Sequence, residues 1–170
     1  MKHLDDFDLS IVLPLCIPPE ECRLLSLDML PYYERNGIEV IIIAMASHLG
    51  RKVTDYICNY PFINWKVVIN STDNNLWENP VQALNTGILQ SEKRFVLFFE
   101  ADMTIQTDVI YELREKLEYY TGHYAITQTN PTGCIMVRKE DLLKIGGYSE
   151  QYATWREEQR DLCIRLEFMG

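Results

Sequence analysis

The sequence predicts an α/β domain of three layers, with a mostly parallel, twisted sheet between two layers of helices. Two observations carry this. Apolar β-branched runs alternate with helical patterns four times, and the runs are continuous rather than polar on every second residue. Strands of that kind are buried on both faces, which is the habit of parallel sheets covered by crossover helices. The length of 170 residues suits one domain, 1–170, with a single sizeable core.

The elements follow in order. "LSIVLPL" (Leu9–Leu15) is the first strand, with Pro14 expected to stop it. Pro18, Pro19, Glu20 and Glu21 form a helix first turn, where proline is tolerated and acids suit the dipole. Asn36-Gly37 closes that helix and leads into the second strand, "IEVIIIAMAS". "LGRKVTDYICNYP" is the next helix and "NWKVVINS" the third strand. "NPVQALNTGILQS" is a helix with Pro80 in its first turn, and Gly87 in it permits a close helix–strand approach. "RFVLFFEAD" is the fourth strand, and an amphipathic helix starts near Thr107. "YAITQTNPTGCIMVRK" reads as one or two strands around a turn at Asn130–Gly133. Gly146-Gly147 form a tight turn with positive φ, and the chain ends in a charged helix. It stops at Gly170 directly after that helix, with no closing strand, as a fragment of a longer protein would.

Charge and composition exclude several classes. A net charge of -9 and a lack of clustered Lys and Arg argue against nucleic acid as a partner. The five cysteines are odd in number and scattered, and read as reduced thiols packed as small hydrophobes. The N-terminus is too acidic and polar for a signal peptide, and "VIIIAMA" is far short of a bilayer span. The chain reads as soluble and cytoplasmic, either free or peripheral to the inner face of the membrane. His3, His48 and His123 read as surface residues.

One stretch calls for chemistry. "RFVLFFEADMTI" runs an aromatic strand into Glu100 and, one residue further on, Asp102. Ligands of open α/β sheets bind beyond the carboxyl ends of the strands. Two carboxylates at i and i+2 of an extended segment share a side and can converge on a hard divalent cation. Such a cation would let an acidic protein hold a diphosphate. On spacing alone, solvated acids at a strand end account for the pair as well.

The order of motifs changes that weighting. The strand ending near Pro14, "ALNTGI", "FFEADMTI", "GCIMVRKEDLLKIGGYSE" and "WREEQRDLCIRL" together resemble family-2-like nucleotide-sugar glycosyltransferases of GT-A fold, with a galactosyltransferase-like C-terminal motif. The resemblance runs from about Leu9 to Gly170. It implies a metal-dependent, inverting transfer of a hexose from a nucleoside diphosphate sugar, UDP favoured, to a saccharide or lipid-linked acceptor. "FFEADMTI" corresponds to the family's Asp-x-Asp element, so that Asp102 would ligate Mn2+ or Mg2+ and Glu100 would lie by the ribose and metal. The donor-binding set implied is Pro14, Ser47, Asn85, Glu100, Ala101, Asp102 and Gly133. Asn85 could hydrogen-bond either the donor or the backbone. "WREEQRDLCIRL" is similar to the stretch carrying the catalytic base, which points to Glu158 with Asp161 second. Trp155 would offer an acceptor platform, or pack in the core, and Arg138 reads as structural.

The sequence also departs from the family. Where the second strand normally ends in Asp-Asp-Gly-Ser, the chain reads Ala44-Met45-Ala46-Ser47, and the Asp-x-Asp element is Glu-x-Asp. Gln159 stands beside the base in place of an acid, and Asp73 or Asn74 are the acid and amide nearest to replacing the lost nucleobase contact. A glycosyltransferase-like binding or assembly module is therefore the alternative to an enzyme. A nucleotidyltransferase ranks last, since "PLCIPPEECR" lacks the glycines of a phosphate loop after the first strand.

Overall fold

The computed structural model describes residues 7–15, 33, 35–44, 47–58, 64–69, 80–100, 105, 107–119, 122–127, 134–152 and 157–169. Its strands are β1 (Leu9–Leu15), β2 (Glu39–Ala44), β3 (Trp65–Ile69), β4 (Phe95–Phe98), β5 (Tyr124–Ile126) and β6 (Ile135–Arg138). Its helices are α1 (Ser47–Cys58), α2 (Pro80–Gln90), α3 (Thr107–Tyr119), α4 (Lys139–Lys144) and α5 (Glu157–Glu167). The strands form one sheet in the order β3-β2-β1-β4-β6-β5. β1 to β4 are mutually parallel, and β6 runs antiparallel to both of its neighbours.

The continuous apolar strands are buried on both faces, as their composition demands. Leu9, Ile11, Leu13 and Leu15 of β1 face one layer with Val40 and Ile42 of β2 and Phe95 and Leu97 of β4. Val53 of α1 and Ile110, Leu113 and Leu117 of α3 cover that face. Val12, Ile41, Ile43, Val96 and Phe98 face the other way, against Val81, Leu84 and Ile88 of α2, Leu142 of α4 and Leu162 and Leu166 of α5. The period-two geometry of a strand turns one apolar run into two cores.

Three local features fix the packing. The backbone N–H of Ile38 donates to the carbonyl of Tyr33 at 3.0 Å across Gly37, whose φ is +66°. That is a Schellman closure, and it ends the helical turn at Tyr33 and Arg35 where Asn36-Gly37 predicted an end. Gly87 lies where a Cβ would stand 2.2 Å from Cγ1 of Val12, so α2 rests directly on β1. Pro14 does not stop β1. It remains in the strand opposite Ile43, because β4 pairs with β1 only from Leu9 to Val12. Beyond Val12 one side of β1 has no β4 partner, and a residue without an N–H costs little there.

At the amino end of the sheet the register places Ser10 beside Glu39. The Glu39 carboxylate is 5% exposed and accepts from the Ser10 hydroxyl, from the Glu92 N–H at 2.9 Å and from Lys66 Nζ at 2.8 Å. Burial alone would raise its pKa, but these donors outweigh burial and hold the group below its ordinary value.

Candidate active site

The strand order reverses between β1 and β4. From β1 the chain steps to β2 and β3 on one side, then returns to place β4 on the other. Such a switch point opens a crevice at the carboxyl ends of the two strands. Glu100 stands there, two residues past the end of β4, partly exposed, after a buried Phe99. Cys134, directly before β6, feels it: burial raises the Cys134 thiol pKa and the Glu100 charge adds to the rise. Thr127 ties the ends of β5 and β6 together beside it, its hydroxyl accepting from the Cys134 N–H at 3.0 Å.

Glu158 lies in the first turn of α5, only 5% exposed, where the helix dipole favours an acid. Tyr148 packs on β4. The Tyr148 ring is buried and meets Phe98 edge-on, with centroids 5.4 Å apart and planes at 89°. Its hydroxyl pKa is raised, chiefly by burial, with smaller contributions from the surrounding ionisable groups. Glu158 shares the buried face of α5 with Leu162 and Leu166, which pack on the α2 side of the sheet.

Asp161 is one turn further along α5 and accepts from Nε of Arg165 at 2.6 Å. Asn85 of α2 turns its amide to the backbone: Nδ2 donates to the Tyr148 carbonyl at 3.0 Å, and Oδ1 accepts from the Tyr148 N–H at 2.8 Å. Of the two partners the sequence left open for Asn85, the fold uses the backbone.

The structure thus brings Pro14 and Glu100 to the carboxyl end of the sheet, Asn85 onto the Tyr148 backbone, and Asp161 onto Arg165, on the same helix as Glu158. Ala101, Asp102, Gly133 and Trp155 lie outside the described residues, as do Met45, Ala46, Asp73 and Asn74. Ser47 is described only as the first residue of α1. Among the described residues no three His, Cys, Asp or Glu side chains are grouped to hold a metal ion. No helix among them is long and apolar enough to cross a membrane.

Two further assignments are settled. Arg138 is structural, its guanidinium donating to the carbonyls of Leu117 and Gly122 and so closing the end of α3. His123, read as a surface residue, is partly exposed and also anchored, with Nδ1 3.1 Å from the buried Asp141 carboxylate. Tyr148 was missed by sequence reasoning, although an aromatic directly after two glycines signals a turn that needs an anchor.

Comparison with known proteins agrees with this architecture. Residues 113–170 match the family described as the N-terminal domain of galactosyltransferase. Among solved structures, TarS 1–349 of S. aureus superposes with a TM-score of 0.66 at 15% identity, covering 93% of this chain and 55% of that one. Its complex with UDP-GlcNAc gives a TM-score of 0.67 at 15% identity, covering 93% and 52%. The mannosyltransferase PcManGT of Pyrobaculum calidifontis, in complex with GDP-Man and Mn2+, gives 0.65 at 15% identity, covering 84% and 47%. No curated protein matches the chain by sequence. The chain spans about half the length of these solved structures. The fold is that of the GT-A glycosyltransferases, as the motif order implied, and over residues 113–170 the chain is similar to the galactosyltransferase family.

Proposed function

We propose that the chain is the donor-binding and base-bearing part of a metal-dependent, inverting glycosyltransferase. It would move a hexose from a nucleoside diphosphate sugar, UDP favoured, to a saccharide or lipid-linked acceptor. The observation that carries the reading is the placement of Glu100 at the β1–β4 switch point, with Glu158 buried on the face of α5 that packs against the sheet through Leu162 and Leu166. Carboxylate oxygens suit a hard cation, and Glu100 is partly exposed at the strand end. Asp102, two residues on, would supply the second carboxylate. When bound, Mn2+ or Mg2+ would neutralise charge on the diphosphate leaving group.

The chain's own residues do the rest. Glu158 takes the proton of the acceptor hydroxyl as that oxygen attacks the anomeric carbon. The bond from that carbon to the diphosphate oxygen breaks, with its electron pair leaving on the nucleotide. Pro14, Ser47, Ala101 and Gly133 would border the donor, and Trp155 would face the acceptor. A cytoplasmic setting, at or near the inner membrane face, suits such substrates. Supporting precedent comes from fold neighbours whose structures hold UDP-GlcNAc, or GDP-Man with Mn2+.

The test is release of nucleotide from UDP-GlcNAc and GDP-mannose with Mn2+, in the parent chain and in Glu158→Gln. Loss of a general base costs about 100- to 10,000-fold, so the variant should bind nucleotide normally and turn over that much more slowly. Equal rates in both proteins would remove Glu158 from the mechanism. A folded parent that neither binds nor releases nucleotide would favour the binding-module alternative.

A further inference from the structure

The turn at Gly146–Tyr148 is held by side chains from two different helices. Gly146 and Gly147 both have positive φ, +78° and +75°. The helix supplies part of the closure, with Gly147 N–H donating to the Leu142 carbonyl at 2.8 Å. The remaining backbone groups are met from outside. Arg165 Nη1 of α5 donates to the carbonyls of Ile145 at 3.1 Å and Gly147 at 2.7 Å. Asn85 of α2 takes both the N–H and the carbonyl of Tyr148. A Cβ on Gly147 would stand 2.5 Å from Oδ1 of Asn85, so the glycine is required by the clamp as well as by its φ.

We infer that Asn85 and Arg165 are positioning residues that tie the Gly146–Tyr148 turn to α2 and α5 and so fix where α5 holds Glu158. The inference rests on the functional reading above. The clamp holds Tyr148 edge-on against Phe98, and Arg165 sits on the same helix as Glu158. Asp161 belongs to this device: its carboxylate holds Nε of Arg165, leaving Glu158 as the base. Asn85 suits the task because an amide both donates and accepts, and Tyr148 presents one group of each kind. Asp in its place keeps the acceptor only and sets a carboxylate against a carbonyl.

The experiment compares the parent chain with Asn85→Asp and Arg165→Lys. Arg165→Lys keeps the charge but loses the fork that serves Asp161 and two carbonyls together. Three readouts are taken: hydrogen exchange over residues 145–149, UDP and GDP affinity with Mn2+, and steady-state nucleotide release from UDP-GlcNAc and GDP-mannose. The expected result is faster exchange in the turn, nucleotide affinity within about twofold, an unchanged donor KM, and a kcat lower by about 100-fold, the scale of an ångström of misplacement. Weakened nucleotide affinity with unchanged exchange in Asn85→Asp would make Asn85 a donor ligand and overturn the inference. Should Asn85→Asp not fold, Arg165→Lys carries the same three readouts. Should the parent release no nucleotide, the functional reading fails separately. Unchanged exchange in both variants would then refute the clamp, and faster exchange would sustain it.

Discussion

Replacing Gly87 by alanine sets two effects of comparable size against each other. Within α2, alanine is favoured over glycine by about 1 kcal/mol of helix propensity. Against this stands the contact with β1, where the new Cβ would lie 2.2 Å from Val12 Cγ1 and 2.9 Å from Cγ2. Ordinary carbon contacts are about 3.5–4.0 Å, so α2 or Val12 must move by more than about 1 Å. Val12 cannot swing away. It is fully buried, stiff at χ1, and held in a strand hydrogen-bonded on both sides. Overpacking of this kind costs about 1–3 kcal/mol, and so severe an overlap belongs at the top of that range. The net expectation for Gly87→Ala is a loss of about 1–2 kcal/mol. For a domain of this size that is a fall of about 2–8 °C in Tm, read by thermal unfolding followed by circular dichroism. The double variant Val12→Ala/Gly87→Ala should lose less than the sum of its singles, because the new methyl fills the space the valine leaves. A Tm for Gly87→Ala at or above the parent would refute the reasoning, since propensity alone would then decide.

Other consequences are equally direct. Because its donors hold the Glu39 carboxyl below its ordinary value of 4.5, its contribution is complete above that pH and disappears as pH falls through the folded-state value. Glu39→Gln should lower stability at pH 7 by about 1–3 kcal/mol and flatten the acid limb of a stability–pH profile measured by urea unfolding. Arg138→Ala removes two charge-assisted bonds to the carbonyls of Leu117 and Gly122. It should cost about 1.5–3 kcal/mol, with hydrogen exchange rising first at the end of α3.

What the sequence made legible is what local pattern controls. β1 is Leu9–Leu15 as its β-branched run indicated, and Asn36-Gly37 closes its helix because few other residues tolerate the φ required. The unbroken apolar strands announced a sheet covered on both sides. Features that depend on residues far apart in the chain were hidden. Pro14 stays in its strand because β4 is short, a property of a partner eighty residues away. Nothing beside Glu39 in the sequence marks it, and only the pairing of β2 with β1 and with β3 puts Ser10 and Lys66 around it. Asn85 and Tyr148 are 63 residues apart, and nothing in either segment alone announces that an amide will hold a turn. For the proposed site, motif order singles out Glu100 and Glu158 in the sequence, while the packing of Tyr148 on Phe98 required the fold.

The measurement that reaches the central claim most directly is calorimetric titration of UDP and GDP into the folded chain, with and without Mn2+, in the parent and in Asp102→Asn. The account predicts saturable binding of one nucleotide that needs the metal and weakens at least tenfold in the variant. Metal-independent binding, or binding indifferent to Asp102→Asn, would contradict it.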